Sequence, residues 1–596
     1  MPISRTIPVA KTPDVITYNI LTGGNEIPKS IGIIQIDIHK EINKIPYAKI
    51  RICDGDPSSE DFPISNEDYF IPGKEVEIKL GYRSDNISLF KGIITSHSNR
   101  ISKSRTELIV ECKDKAVKLT IGRKSKHYEN ITDSDIAEDI IGQSGLTSDI
   151  ESTSTLHTEL IQYNATDWDF MLSRIDFSGR ICLVSDGKIT IKKPDFTAAS
   201  VLDLLYGATI IEYQAEINSR SQLNEVSALS WDYSSQTVNE ETANEPQFND
   251  AGNIPGSDLA DVIGLDNYKL THSGKLSPEE LKEWANAKMQ KSRLAKIRGY
   301  VKFQGFHGVL PGDIISLNGV GERFNGPVFA NSIHHELSDG DWITEVKFGL
   351  SEEWFTEIIN PYHPSAQKGI NPSVQGLQIG KVTDLEDPEG EFRVKVKLPV
   401  VSNDEEGIWM RIATLDAGKD RGTFFRPEID DEVIVGFIFN DPSHPVILGM
   451  LHSSSLTAPL SASNTNPEKG YVSREQIKMI FNDEEKSYKL ETPGGKIFTL
   501  DDNGSIIKIE DESGNSIKME SSGVTIESAS SLKIKAGSDI TIEGVNITLK
   551  PSSQFSLSAS GSELKAGPGS AEFKSASIKI DGSGITEIKG GIVKIN

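Results

Sequence analysis

Residues Ser531–Pro551 read SLKIKAGSDITIEGVNITLKP. The stretch forms three short predicted strands, each with one apolar pair on a single face: Leu532/Ile534, Ile540/Ile542 and Ile547/Leu549. Polar residues and glycine fill the rest. Two apolar side chains in every eight residues are too few for a hairpin to stand alone, so these strands must stack on something.

The same unit recurs on both sides. From Ile509 to Ile595 the second apolar residue of each strand falls at 12 positions spaced 7 to 10 residues apart, a mean step near eight. Further pairs are Val524/Ile526, Phe555/Leu557, Ile578/Ile580 and Val593/Ile595, with Gly523, Gly537, Gly544 and Gly582 at the turns between strands. Two architectures meet the demand. One chain could coil on itself as a solenoid, or three chains could intertwine as a triangular prism with every apolar pair on a shared axis. Strands about 4.8 Å apart make either one a rod on the order of 60 Å long. From residue 505 onward there are 10 Lys and 11 Asp/Glu, a net charge of −1, although the whole chain carries −25. A slender object with both signs of charge outside avoids repelling itself along its length.

At 596 residues the chain is too long for a single core. A charge of −25 argues against nucleic acid or an anionic membrane as partner, since phosphate contacts require an excess of Lys and Arg. Cys53, Cys112 and Cys182 are far apart and lack CxxC spacing, which fits a reducing compartment and gives no disulfide framework. No apolar stretch suits a signal peptide or a membrane-spanning helix. The expectation is synthesis in the bacterial cytoplasm and export by another machine to the extracellular space or a target cell.

Residues 1–360 read as a mainly β, α+β region. Period-two segments such as IGIIQIDIHKEI, EVEIKLGY and TELIVECKD predict half-buried antiparallel strands closing a barrel-like sheet. NITDSDIAEDIIGQSGL predicts a helix with Asp133 or Ser134 as N-cap and Gly145 beyond its end. SPEELKEWANAKMQKSRLAK predicts another, with Ser277 as N-cap and Pro278 in its first turn. A linker at 361–375 leads to residues 376–453, whose five strands suit a small closed barrel of OB type. Residues 454–504 are read as a linker leading into the needle, and 505–596 as the repeat itself.

Residues 426–453, RPEIDDEVIVGFIFNDPSHPVILGMLHS, carry a long and specific pattern: Pro427, Asp431/Glu432, Val433/Val435, Gly436/Phe437, Asp441/Pro442, Pro445 and Leu448/Gly449. It closely resembles the OB-fold signature of the VgrG proteins, the spikes of type VI secretion systems. QYNATDWDFMLSRIDFSG at 162–179 is similar to a second segment of that family, and the resemblance extends over most of the chain. It implies a tail-hub-like domain, an OB-fold domain and a triple-stranded β-helix assembled as an intertwined homotrimer. It also implies partners: an Hcp tube ring at the hub end, a PAAR-type cap at the needle tip, cargo effectors or adaptors, and a target membrane that is pierced mechanically. A spike of a contractile phage tail or an extracellular injection particle has the same architecture and is the nearest alternative; a polysaccharide-acting β-helix enzyme is a more distant one.

No catalytic, cofactor-binding or metal-binding constellation is read from the sequence. His334 and His335 are neighbours on a strand and point to opposite faces. The acidic runs DGDP (54–57) and SDGDW (338–342) lack the spacing and terminal Glu of a calcium loop and read as turns. No phosphate loop or nucleophile elbow is found. The span between His452 and the repeat is too short for the lysozyme-like domain of lytic phage spikes, and the sequence given stops at Asn596 without a fused effector after the repeat. The expectation is therefore a non-enzymatic spike.

Overall fold

The computed structural model describes residues 15–103, 105–232, 237–272, 275–359, 374, 376–399 and 406–595. Apart from residue 374, the expected 361–375 linker lies outside the described residues. The chain divides into two compact units, residues 1–458 and 459–596.

The first unit is built on a 13-stranded, mostly antiparallel sheet. Its strands alternate as period two demands. In Ile33–Glu41, Ile36 and Ile38 are buried, and they face Ile50 and Ile52 of Tyr47–Cys53 and Leu108 and Val110 of Thr106–Lys113. Register shifts at Ile94/Ser96 and Ile78/Lys79 bend the sheet. Hairpin turns follow turn chemistry: Asp339 and Gly340 both take positive φ between Ser338 and its partner Asp341, so SDGDW is a tight hairpin turn. Asp54 accepts from the backbone N–H groups of Ile64 and Ser65, so DGDP is a turn braced by its own carboxylate.

Three helices support the site described below. The helix Asp133–Gln143 is capped by Thr132, one residue before the first expected cap, Asp133. Thr132 ends the preceding strand in extended conformation and its hydroxyl accepts from Asp135 N at 3.2 Å, while the Asp135 carboxylate answers as a capping box. Asp133 is thereby released from capping. Asp167–Phe177 is capped by Thr166. Pro278–Leu294 has Ser277 as cap, Glu280 completing the box and Pro278 in the first turn, as expected. Its buried stripe includes Leu281, Trp284, Ala285 and Met289, and it packs on the strands Val226–Asp232 and Thr237–Thr242.

A closed five-stranded barrel completes the unit, with strands in the order Gln378–Asp384, Val394–Lys397, Ile408–Ile412, Pro445–Met450, Glu432–Phe437. Its core is Val382, Val394, Val396, Ile408, Met410, Val433, Val435 and Ile447. Gly380 is obligatory here, because a Cβ at that position would lie 2.3 Å from Val396 Cγ1.

In the second unit seven strands from Glu468–Val472 to Gly523–Glu527 form one antiparallel meander in chain order. The ladder thus starts ahead of residue 505. A three-stranded sheet follows at Phe555–Ala559, Ser562–Gly567 and Ser570–Ser575. Among the described residues, no strand lies between Glu527 and Phe555 or after Ser575. The strands expected in 531–551 are absent from the single chain because a strand requires a ladder partner, and here the chain supplies none.

All six tryptophans (Trp168, Trp231, Trp284, Trp342, Trp354 and Trp409) lie in the first unit, so indole fluorescence reports its unfolding alone. Ile50→Ala, in the fully buried face of the 13-stranded sheet, should lower its stability by about 2–5 kcal/mol. The check is a denaturant titration followed by indole fluorescence.

Candidate functional site

Two features stand out: an apolar face on the second unit and a buried polar seam in the first. On the meander, register places two apolar ladders on one face. The first runs Tyr471, Met479, Leu490, Phe498, Ile509, Ile517, Ile526; the second runs Phe481, Tyr488, Leu500, Ile507, Met519, Val524. The opposite face sets Lys489, Thr499, Lys508, Lys518 and Thr525 in register. On that face Lys508 pairs with Glu510 at 2.6 Å and Lys489 with Glu491 at 3.0 Å. One side is therefore adapted to water. Yet on the apolar side, residues from Leu500 to Val524 are 38–65% exposed. Monomeric proteins rarely leave so long an apolar face uncovered.

The predicted needle residues continue that exposure. Val524 and Ile526 end the two ladders. Leu532, Ile534, Ile540, Ile542, Ile547 and Leu549 fall in the strandless stretch and are 53–68% exposed. Leu557 stacks across strands on Leu564 and Phe573 and stays exposed, while Phe555 is half-buried. Ile578, Ile580, Val593 and Ile595 are exposed beyond the last strand.

The signature residues of 427–449 divide by role. Val433 and Val435 fill the barrel core and Phe437 packs against it. Pro427, Gly436, Pro442 and Pro445 are buried. Asp431 accepts from Glu428 N at 2.8 Å and so holds the turn before Glu432, whose side chain is half-buried. Leu448 faces solvent and Gly449 is half-buried. Asp441, in contrast, is buried with charged partners.

Those partners belong to the seam where the helices meet the barrel. A cavity of about 510 Å³ opens there, lined among others by His157, Glu159, Arg174, Glu280, Asp441 and His444. Arg174, fully buried, donates to Asp133 at 2.7 and 3.2 Å and lies 3.1 Å from His157. His157 also contacts Asp133 at 3.2 Å and Glu280 at 3.3 Å. Burial acts to raise the Asp133 pKa, but Arg174 and His157 outweigh it and hold the carboxyl well below its usual range. Burial and Arg174 both act to lower the His157 pKa; hydrogen bonds to Asp133 and Glu280 prevail and raise it. Glu159 accepts from Trp409 N of the barrel at 3.2 Å, and burial pushes its pKa up to about 7.

None of these seam residues was flagged as charged machinery from the sequence except Asp441, and that one only as a signature position. The visible signal was the i, i+3 spacing of Asp441 and His444; His272, which joins them, lies 169 residues earlier in sequence than Asp441 and had no local signal. His334 and His335 do face opposite ways. His335 is buried, bonds the Thr344 hydroxyl at 3.0 Å, and burial lowers its pKa to about 3. His334 instead stacks on His39.

Against known families, residues 12–339 match the Alg8 N-terminal domain, more than half of the chain. The chain belongs to that family. Residues 378–452 match the type VI secretion system/phage-baseplate injector OB domain. Among curated relatives, the spike protein VgrG1c of Pseudomonas aeruginosa is 36% identical over 73 residues, 12% of this chain and 10% of that protein. VgrG3 of Vibrio cholerae is 34% identical over 105 residues, 16% and 10%. The matches thus span about a tenth of the length of these relatives. A chain of the Francisella PdpA–VgrG complex superposes with TM-score 0.50 at 9% identity, covering 86% of this chain and 88% of that one. The Alg8-family chain is accordingly VgrG-like in its OB segment and in its fold.

The seam makes a prediction about pH. Glu159 faces Trp409 N, with Arg393, Lys395 and Glu129 around it. Its folded pKa of about 7 lies above the ordinary 4.5. Its share of stability is therefore whole below pH ~4.5 and is lost as pH rises through 7. Between pH 5 and 8 this costs on the order of 2 kcal/mol once partial exposure is allowed for. Glu159→Gln should remove that part of the slope in melting temperature against pH; an unchanged slope would mean the carboxyl titrates normally.

Proposed function

We propose that this chain is the non-enzymatic, membrane-puncturing spike of a contractile injection machine of the type VI secretion kind, working as a homotrimer. One observation carries the reading: an apolar face runs along the meander from Tyr471 to Ile526, and between Glu527 and Phe555 and again after Ser575 the apolar pairs continue at steps of about eight residues with no strand among the described residues. The occupant of that face is two further copies of the same chain. Three identical apolar faces closing on an axis cover every ladder residue at once and leave the Lys and Glu rows outside. In the strandless stretches 528–554 and 576–595, each eight-residue step finds its hydrogen-bond partners on a neighbouring chain.

Such a prism is stiff because its strands are paired along its whole length, which is what a piercing tip requires. The hub end would dock on the Hcp tube ring, the tip would accept a PAAR-type cap, and effectors would travel on the assembly. VgrG1c and VgrG3 are named type VI secretion system spike proteins, which supports the same assignment. No helix among the described residues is long and apolar enough to cross a membrane. In the proposed mechanism the membrane is broken by driven insertion of the rod. The chain contributes a rigid point and does no chemistry.

Residue-level tests follow. Ile542→Asp places a charge on the proposed axis in three copies, whereas Thr541→Asp, one residue away, faces water. The first should abolish the heat- and protease-resistant needle and the second should leave it intact. Equal effects would contradict an apolar axis. Deletion from about residue 505 onward should stop export of the Hcp tube protein while the hub stays soluble. Normal Hcp export would remove the spike role.

A further inference from the structure

His272 ends the strand Tyr268–His272 of the helical region, and Asp441 and His444 lie in the turn DPSHP of the OB barrel. Asp441 Oδ2 is 3.1 Å from His272 Nε2 and 3.4 Å from His444 Nδ1. All three atoms lie within 4.8 Å of one another. The side chains of His272 and Asp441 are buried, and that of His444 is 16% exposed. A charge-assisted hydrogen bond between imidazolium and carboxylate settles near 2.8 Å. Ligands bound tetrahedrally at about 2.0–2.1 Å from a zinc ion sit roughly 3.3 Å apart. The two Asp441–histidine separations match edges of a coordination tetrahedron.

The protonation pattern agrees. His444 Nε2 lies 2.7 Å from the Lys275 carbonyl oxygen. A carbonyl only accepts, so Nε2 carries a proton, and loss of the Nδ1 proton to an incoming cation would free a lone pair on the side of Asp441. This is the arrangement by which a backbone carbonyl orients a metal-binding histidine. The two imidazoles are tilted by 60°, so their nitrogens can aim at one point. A second group, Asp37, His39 and His334, lacks that property: its imidazoles stack at 3.8 Å and 12°, sending their lone pairs in parallel.

We propose that His272 Nε2, His444 Nδ1 and Asp441 Oδ2 bind a divalent transition-metal ion, with zinc the best match to two imidazoles and one carboxylate. Asp441 and His444 also line the 510 Å³ cavity, from which a water can take the fourth position. The ion clips the helical region to the OB barrel, two parts of the chain that otherwise meet through the seam. His272, Asp441 and His444 serve as structural ligands in this proposal.

The test uses the full-length, untagged chain. Purified protein equilibrated with zinc sulfate and then dialysed should retain about one zinc per chain by elemental analysis. Cobalt chloride added to chelator-stripped protein should give the visible absorption of tetrahedral cobalt with a nitrogen–oxygen ligand set. His444→Ala and Asp441→Asn should each lower retained zinc at least tenfold, and His39→Ala should leave it unchanged. Metal binding by the wild-type chain does not depend on whether the variants fold. Less than about a tenth of an equivalent of zinc in the wild type, with no cobalt spectrum, overturns the proposal and leaves a proton-linked cluster. Loss of the metal in His39→Ala with retention in His444→Ala overturns it as well.

Discussion

The structure depends on one mismatch. Among the described residues the second unit has hydrogen-bonded strands but no second layer to cover their apolar side. Ladders of Ile, Leu, Met, Phe and Tyr run from Tyr471 to Ile526 with water on one face, whereas the reverse face holds lysines and glutamates in register. At about 25 cal/mol for each Å² of apolar surface, leaving such a face bare costs far more than a surface salt bridge returns. Association is the direct relief, and the eight-residue step indicates self-association: an unrelated partner would need a matching period, whereas a second copy has it automatically.

The first unit works on the opposite principle. Its sheet and barrel bury their apolar side chains internally; Arg174, Asp133, His157 and Glu280 tie the helical region together, while Glu159–Trp409 and His272–Asp441 reach across to the barrel, whose apolar core Ile161 joins. Removing a single member of such a buried group leaves its partner's charge unpaired, which makes the seam rigid and sensitive to substitution. Under the proposed spike function, a junction that does not slide would let this unit transmit an axial load.

Much of this was legible in the chain itself. The alternation in IGIIQIDIHKEI placed Ile36 and Ile38 inward, and Ser277–Pro278 marked the start of its helix correctly, because both signals are local. The VgrG-like pattern at 427–449 located the barrel. Legibility failed where a residue's role is set by distant chain. Thr132 displaced Asp133 as cap because the end of a strand fixed its backbone, and Asp133 then became the partner of Arg174, 41 residues away. The meeting of His272 with Asp441 follows from packing between domains and leaves no periodic trace. The repeat was legible for a different reason: its eight-residue period and paired apolar residues are local in sequence even where no strand forms within the described residues.

The most direct measurement is the mass of the purified full-length protein in solution, by sedimentation equilibrium or light scattering at micromolar concentration. The account predicts a single species near three times the 65.3 kDa of the chain, unchanged on dilution. A species of 65.3 kDa with a folded, protease-resistant second unit would contradict it, because one chain would then have covered its own apolar face.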